Sequence, residues 1–115
     1  MNDRYKVGDW ESKEEPAWSA FVYVAGDYNT SEMALRDICF PSGLCVTIEK
    51  VKYIFGGGSE DGVRVGLIQY PKFPESIECL MEKAEMIGKK LCEANFQFSF
   101  TIVSDDRNVY YSRRG

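Results

Sequence analysis

The chain has 115 residues, 44% hydrophobic and 28% charged, which is enough for a single core of ordinary globular composition. Its formal charge is −4, from 14 basic and 18 acidic side chains, and it contains no histidine. The acid surplus argues against duplex nucleic acid as a partner, and the missing imidazole removes the commonest acid–base and metal-binding group.

No apolar run approaches the roughly 20 residues that span a bilayer. The polar start MNDRYKVGDWESKEEP lacks the apolar segment of a secretory signal, so a cytoplasmic, non-membrane protein is expected. Cys39, Cys45, Cys79 and Cys92 read as free thiols, because two fall in helix-like patterns and two flank a turn. Their spacing is too loose for a zinc site, so no metal and no cofactor is expected.

In chain order, residues 1–17 mix charges with Gly8 and Pro16 and predict a flexible or loosely docked arm before a single domain over 18–115. The run WSAFVYVA from Trp18 predicts a strand, and Gly26-Asp27-Tyr28-Asn29 breaks it. A helix follows to about Phe40, capped by Asn29, Thr30 or Ser31, and Pro41-Ser42-Gly43 ends it. Leu44–Phe55 predicts a long strand whose change of alternation implies a bulge near Glu49-Lys50. Gly56–Gly62 predicts a hairpin connection, with Val63–Tyr70 as the returning strand.

Ile77, Leu80, Met81, Ala84, Ile87 and Leu91 recur at the spacing of one buried helix face. Gly88 interrupts that face at a cost of roughly 1 kcal/mol relative to alanine, which implies close packing there. After Asn95, a half-buried strand with Phe96, Phe98, Phe100 and Ile102 on one side leads through Asp105–Asn108 to a last strand, Val109–Arg113. The order β-α-β-β-α-β-β predicts an α+β domain, a mostly antiparallel sheet with both helices packed on one face. The other face would show Tyr53, Tyr110 or Tyr111 and several glycines, a surface suited to subunit association.

The chemistry-bearing residues are few. Asp27 sits between a strand and a helix start, where it supports the turn, caps the helix or meets a ligand. Trp18 is either a core edge or a flat ring for stacking on a purine. Asn95 is a helix cap or a reader of a base or ribose edge. Arg113 and Arg114 are solvated terminal cations or partners for pyrophosphate, and Arg64 lies mid-strand on a solvent face or in a charged pocket. The Gly56-Gly57-Gly58 run is no phosphate cradle, since a strand follows it and Glu60 and Asp61 repel phosphate. A cysteine nucleophile would have only a lysine or carboxylate as its base, and the paired carboxylates Glu82/Glu85 and Asp105/Asp106 fit a solvated helix face and a turn tip, so no catalytic residue is expected.

Together YVAGDY (23–28), GLCVTI (43–48), the glycine turn and DGVRVGLIQYPKFP (61–74) resemble small phage proteins, the first family of Thoeris anti-defence proteins, over about residues 20–95. That resemblance implies a sponge that sequesters a cyclic ADP-ribose isomer without cleaving it. It also implies a second site for cyclic di- or trinucleotides, a homo-oligomer (dimer or higher), and residence in the cytoplasm of the infected host. On it, Trp18 stacks on adenine, Asn95 bonds the nucleotide, Arg113 or Arg114 meets phosphate, and Arg64 lines the second pocket. The rival expectation is a small acidic phage inhibitor of a host defence protein such as a CRISPR effector; a third is a small-molecule-sensing regulatory domain.

Overall fold

The computed structural model describes residues 4–72 and 74–113, with the backbone alone for residues 4–7. Seven strands and two helices follow in the order β1 (Arg4–Val7), β2 (Trp10–Lys13), β3 (Ser19–Ala25), α1 (Tyr28–Ser42), β4 (Thr47–Phe55), β5 (Gly58–Ile68), α2 (Ile77–Asn95), β6 (Ser99–Ser104) and β7 (Asn108–Ser112). β3 to β7 form one antiparallel sheet in the order β4-β5-β3-β6-β7. The expected α+β class and the order β-α-β-β-α-β-β are those of this domain.

The two central strands, β5 and β3, are not consecutive in sequence. Each helix therefore crosses over an intervening strand, the split βαβ arrangement of ferredoxin-like folds.

Alternation on the strands explains why one face is covered. Ala20, Val22 and Val24 on β3, Val63, Val65 and Leu67 on β5, and Phe100 and Ile102 on β6 are all buried beneath the helices. From α2 the positions Leu80, Ala84, Ile87, Leu91 and Cys92 close the core at helical spacing. Gly88 lies against the Phe100 ring, and a Cβ built there would stand 2.2 Å from it. The close packing inferred from a glycine inside a helix is present.

Several local expectations need correction. The bulge near Glu49-Lys50 is absent, since β4 and β5 pair without interruption from Thr47↔Gly66 to Phe55↔Gly58. The same pairing draws Ser59–Gly62 into β5 and leaves a tight turn at Gly56-Gly57, so ladder hydrogen bonds prevail over the turn tendency of the glycines. α1 starts earlier than expected because Asp27 is its cap; Gly43, at φ 69°, ends it in the left-handed conformation. α2 runs through Asn95, and the left-handed cap falls on Phe96 at φ 57°. Phe96 is thereby turned outward, 87% exposed, and does not join the inward face of β6. All four cysteines are free thiols.

Within the N-terminal arm, β1 and β2 pair as a small hairpin, with Arg4 opposite Lys13 and Val7 opposite Trp10. The hairpin stands apart from the main sheet and both helices, which lengthens the molecule to 54 Å, and Trp10 is 79% exposed. Among the described residues no helix is long and apolar enough to cross a membrane.

Replacing Gly88 with alanine should destabilise the fold by about 1–3 kcal/mol, because the clash with Phe100 outweighs the gain in helix propensity. Urea unfolding followed by circular dichroism reads this; a stabilised variant would mean that Phe100 moves aside freely.

Candidate functional site

The sheet face away from the helices carries a line of flat groups along β5. Gly62, Arg64 and Gly66 alternate with the buried Val63 and Val65, so Arg64 is the one side chain those five residues project outward. Neighbouring side chains fill the glycine positions. A Cβ at Gly62 would lie 2.4 Å from the Tyr53 ring, and one at Gly66 would lie 2.5 Å from Thr47 Oγ1 and 3.2 Å from the Phe21 ring. The result is a tray: tyrosine ring, guanidinium, phenylalanine ring.

Arg64 is held from three sides. Its Nε and Nη2 both donate to Glu49 Oε1, at 3.0 and 2.6 Å, from the directly opposite position on β4. Its guanidinium carbon lies 4.5 Å from the centre of the Phe21 ring. Tyr23 faces it from β3. The Glu49 hydrogen bond, followed by that of Tyr23, raises the arginine above its ordinary range, so it is a permanent cation. Tyr53 is pushed up by burial first and then by Tyr23 and Glu60, which keeps its hydroxyl protonated at neutral pH. Glu60 lies opposite Tyr53 on the same face. The tray is aromatic, rimmed by the carboxylates Glu49 and Glu60, and carries one fixed cation.

At its Gly62 end the tray meets a cavity of about 210 Å³ where β3 gives way to α1, lined by Gly26, Asp27, Tyr28, Lys50, Asp61 and Gly62 among others. The Asp27 carboxylate accepts from Thr30 N at 2.9 Å and Thr30 Oγ1 at 3.0 Å, and the backbone bond chiefly holds its pKa below the ordinary carboxylate range. Lys50 Nζ stands 5.3 Å from the centre of the Tyr28 ring. Asn95 fastens this corner. Its Oδ1 accepts from Asp27 N at 3.0 Å, and its Nδ2 donates to Ser31 Oγ and Leu91 O, each at 3.0 Å. Gly26 adopts φ 146°, and a Cβ there would lie 2.4 Å from the Asn95 side chain.

The residues singled out from sequence fall in four places. Asp27 and Asn95 meet at the α1 corner, where both are spent on holding the helix start. Arg64 lies on the tray. Arg113 is on the helix side, beside a separate cavity of about 260 Å³ between α2 and β7; it donates to Gln97 O and lies 5.5 Å from the Phe98 ring centre. Arg114 lies outside the described residues. Trp18, expected to stack on adenine, is 7% exposed and part of the core, so its ring offers no free face. Its indole Nε1 finds no acceptor among the described residues. Trp18, Asn95 and Arg113 therefore do not build one nucleotide pocket within a single chain.

Sequence reasoning passes over Phe21, Tyr23 and Glu49, and gives Tyr53 no ligand role. The signal available was the Gly-x-Arg-x-Gly alternation of residues 62–66, which marks a strand face kept low around one cation.

No family model matches the chain, and no curated protein matches it. Two solved structures share its fold. A phage SAM lyase in its apo state superposes with a TM-score of 0.63 at 16% identity, over 85% of this chain and 90% of that one. A phage SAM lyase in complex with S-methyl-5'-thioadenosine gives 0.60 at 17% identity, over 84% of this chain and 89% of that one. At such identities the likeness speaks for the fold.

This finding corrects the functional expectation. The sponge reading, the non-enzyme reading, and the cyclic ADP-ribose and cyclic di- or trinucleotide ligands gain nothing from it, because the solved proteins of this shape are an enzyme and one holds a thionucleoside. The protein-inhibitor alternative gives way with them. The physical reason was already in the composition: a chain of charge −4 is poorly disposed toward a diphosphate.

Two outcomes test the α1 corner. Asn95→Ala should cost roughly 2–4 kcal/mol in urea unfolding, since three hydrogen bonds go and the buried Ser31 hydroxyl loses a partner. For Asp27, the folded carboxyl is more acidic than the ordinary 3.8, so its stabilisation is present above that value and fades as pH falls through the folded one. Thermal melts of Asp27→Asn should accordingly show a weaker acid-side decline than the parent; an unchanged profile would remove the cap from the account.

Proposed function

We propose that this chain binds S-adenosylmethionine (SAM) and cleaves it at the sulfonium, releasing S-methyl-5'-thioadenosine. The observation that carries the reading is the open-face tray, in which rings over Gly62 and Gly66 are rimmed by Glu49 and Glu60. The likeness in fold to phage SAM lyase supports it. SAM presents an adenine, a sulfonium cation and an amino-acid head, with one net positive charge. An aromatic face suits the adenine by stacking and the sulfonium by cation–π attraction. Carboxylates at the rim favour a cationic ligand, and the overall charge of −4 acts in the same direction.

The absence of histidine is no obstacle to this chemistry. When the bond between sulfur and the γ-carbon of the amino-acid portion breaks, its electron pair stays on sulfur. The leaving group departs as a neutral thioether and needs no proton from the protein. The vacated carbon is satisfied from within the four-carbon fragment, by its own carboxylate oxygen closing a ring, so no protein acid or base is consumed. Charge is destroyed in that step, so a face that strips water from the sulfonium and the carboxylate lowers the barrier. Tyr53 and Tyr23 supply such a face.

The test is to incubate the purified protein with excess SAM and quantify S-methyl-5'-thioadenosine by chromatography. Release beyond one equivalent per chain is expected. Tyr53→Leu should lower kcat/KM about 5- to 150-fold, the loss of one stacked ring at ~1–3 kcal/mol, with its circular dichroism retained. Absence of both turnover and SAM-dependent thermal stabilisation in the parent would overturn the reading.

A further inference from the structure

We infer that the Arg64–Glu49 pair is the receptor for the α-amino-acid head of the ligand: the carboxylate of the ligand replaces Glu49 on Arg64, and Glu49 takes the ammonium. This rests on the proposed SAM reading and extends it to the part of the ligand that S-methyl-5'-thioadenosine lacks.

The argument starts from charge. An α-amino acid at neutral pH is a zwitterion, an anion and a cation held one carbon apart. The tray carries its mirror image, a guanidinium and a carboxylate directly opposite each other on β5 and β4. Both are accessible, with side-chain exposures of 33% for Arg64 and 52% for Glu49.

The hydrogen bonding leaves capacity for exchange. Arg64 spends Nε and Nη2 on one oxygen of Glu49 and has a further hydrogen bond with Tyr23, which leaves part of the five N–H groups of a guanidinium for a ligand. The fork can hold one oxygen of the ligand carboxylate as it now holds one oxygen of Glu49, which leaves the other oxygen free to close the ring. Phe21 fixes the plane from below, so the fork stays oriented when Glu49 departs. An exposed ion pair contributes little to stability, so breaking it for an incoming zwitterion costs little. The flanking Gly62 and Gly66 bear no side chains of their own, and the Tyr53 and Phe21 rings that lie over them give a ligand along β5 a flat floor on either side of Arg64.

Position completes the case. Tyr53 lies over Gly62 and Arg64 two residues further along the same strand, so an adenosyl group stacked on Tyr53 directs its amino-acid arm along β5 toward the guanidinium. Arg64 is thus a specificity residue, and it marks intact SAM as the preferred occupant over its own thionucleoside product.

The experiment compares SAM, decarboxylated SAM and S-methyl-5'-thioadenosine by isothermal titration with the full chain and with Arg64→Gln, Arg64→Lys and Glu49→Gln, each checked for folding by thermal melt. The parent should bind SAM about 10- to 100-fold more tightly than decarboxylated SAM, the factor expected for one charge-assisted hydrogen bond. Arg64→Gln should erase that preference and leave S-methyl-5'-thioadenosine affinity within about twofold; Arg64→Lys should restore part of it. Glu49→Gln should weaken SAM and spare the thionucleoside. If the parent binds the thionucleoside but treats SAM and its decarboxylated form alike, the Arg64 assignment fails and the SAM reading stands. Equal preference in Arg64→Gln and the parent would overturn the assignment too. Failure of the parent to bind any of the three would end both.

Discussion

The strict alternation of β5 is the constraint on which both faces of this domain depend. Val63, Val65 and Leu67 are fully buried under the helices, while Gly62, Arg64 and Gly66 face the other way. A one-residue slip against β4 or β3 would bring a guanidinium into the core and set three apolar side chains in water. Register is therefore set by the core, and the open face inherits it. Arg64 stands opposite Glu49 on one side and Tyr23 on the other because Val65 must stand opposite Ile48 and Val22. The tray needs no device of its own to be assembled in order.

A second dependence joins the helices to the sheet at the start of α1. The side chain of Asn95, in the last turn of α2, ties together the first turn of α1, its preceding Asp27 amide and a carbonyl of its own helix. One amide thereby settles where α1 starts relative to the cavity that adjoins Gly62. The role resembles that of a keystone: it touches nothing that reacts, yet the corner loses its shape without it.

Most of the architecture was legible in the sequence, because the two helices and the five strands of the main sheet each carry a period of their own. The helix at Ile77–Asn95 shows its buried face plainly, and Gly88 announces the close approach of Phe100. What misled was local chemistry overruled by pairing. Ser59–Gly62 reads as turn, but the ladder to β4 extends through it. Phe96 reads as strand, but α2 continues past the expected end and uses it as a left-handed cap. Trp18 shows why single residues are harder to place than elements: nothing in its neighbours tells whether a ring at a strand edge turns inward. The tray was less visible still, since Tyr53, Arg64 and Phe21 lie on three strands and only the register brings them into line. The same register makes sense of an acidic chain, whose carboxylates at 49 and 60 border a face where a cation has rings to lie on.

The contact between Gly26 and the Asn95 amide has an evolutionary corollary. Any side chain at position 26 would demand a smaller residue at 95, and a smaller residue there would release the helix that the amide secures. Neither site can drift alone without passing through a damaged intermediate. Among relatives, the two should change as a pair or be retained as a pair, despite lying far apart in the chain.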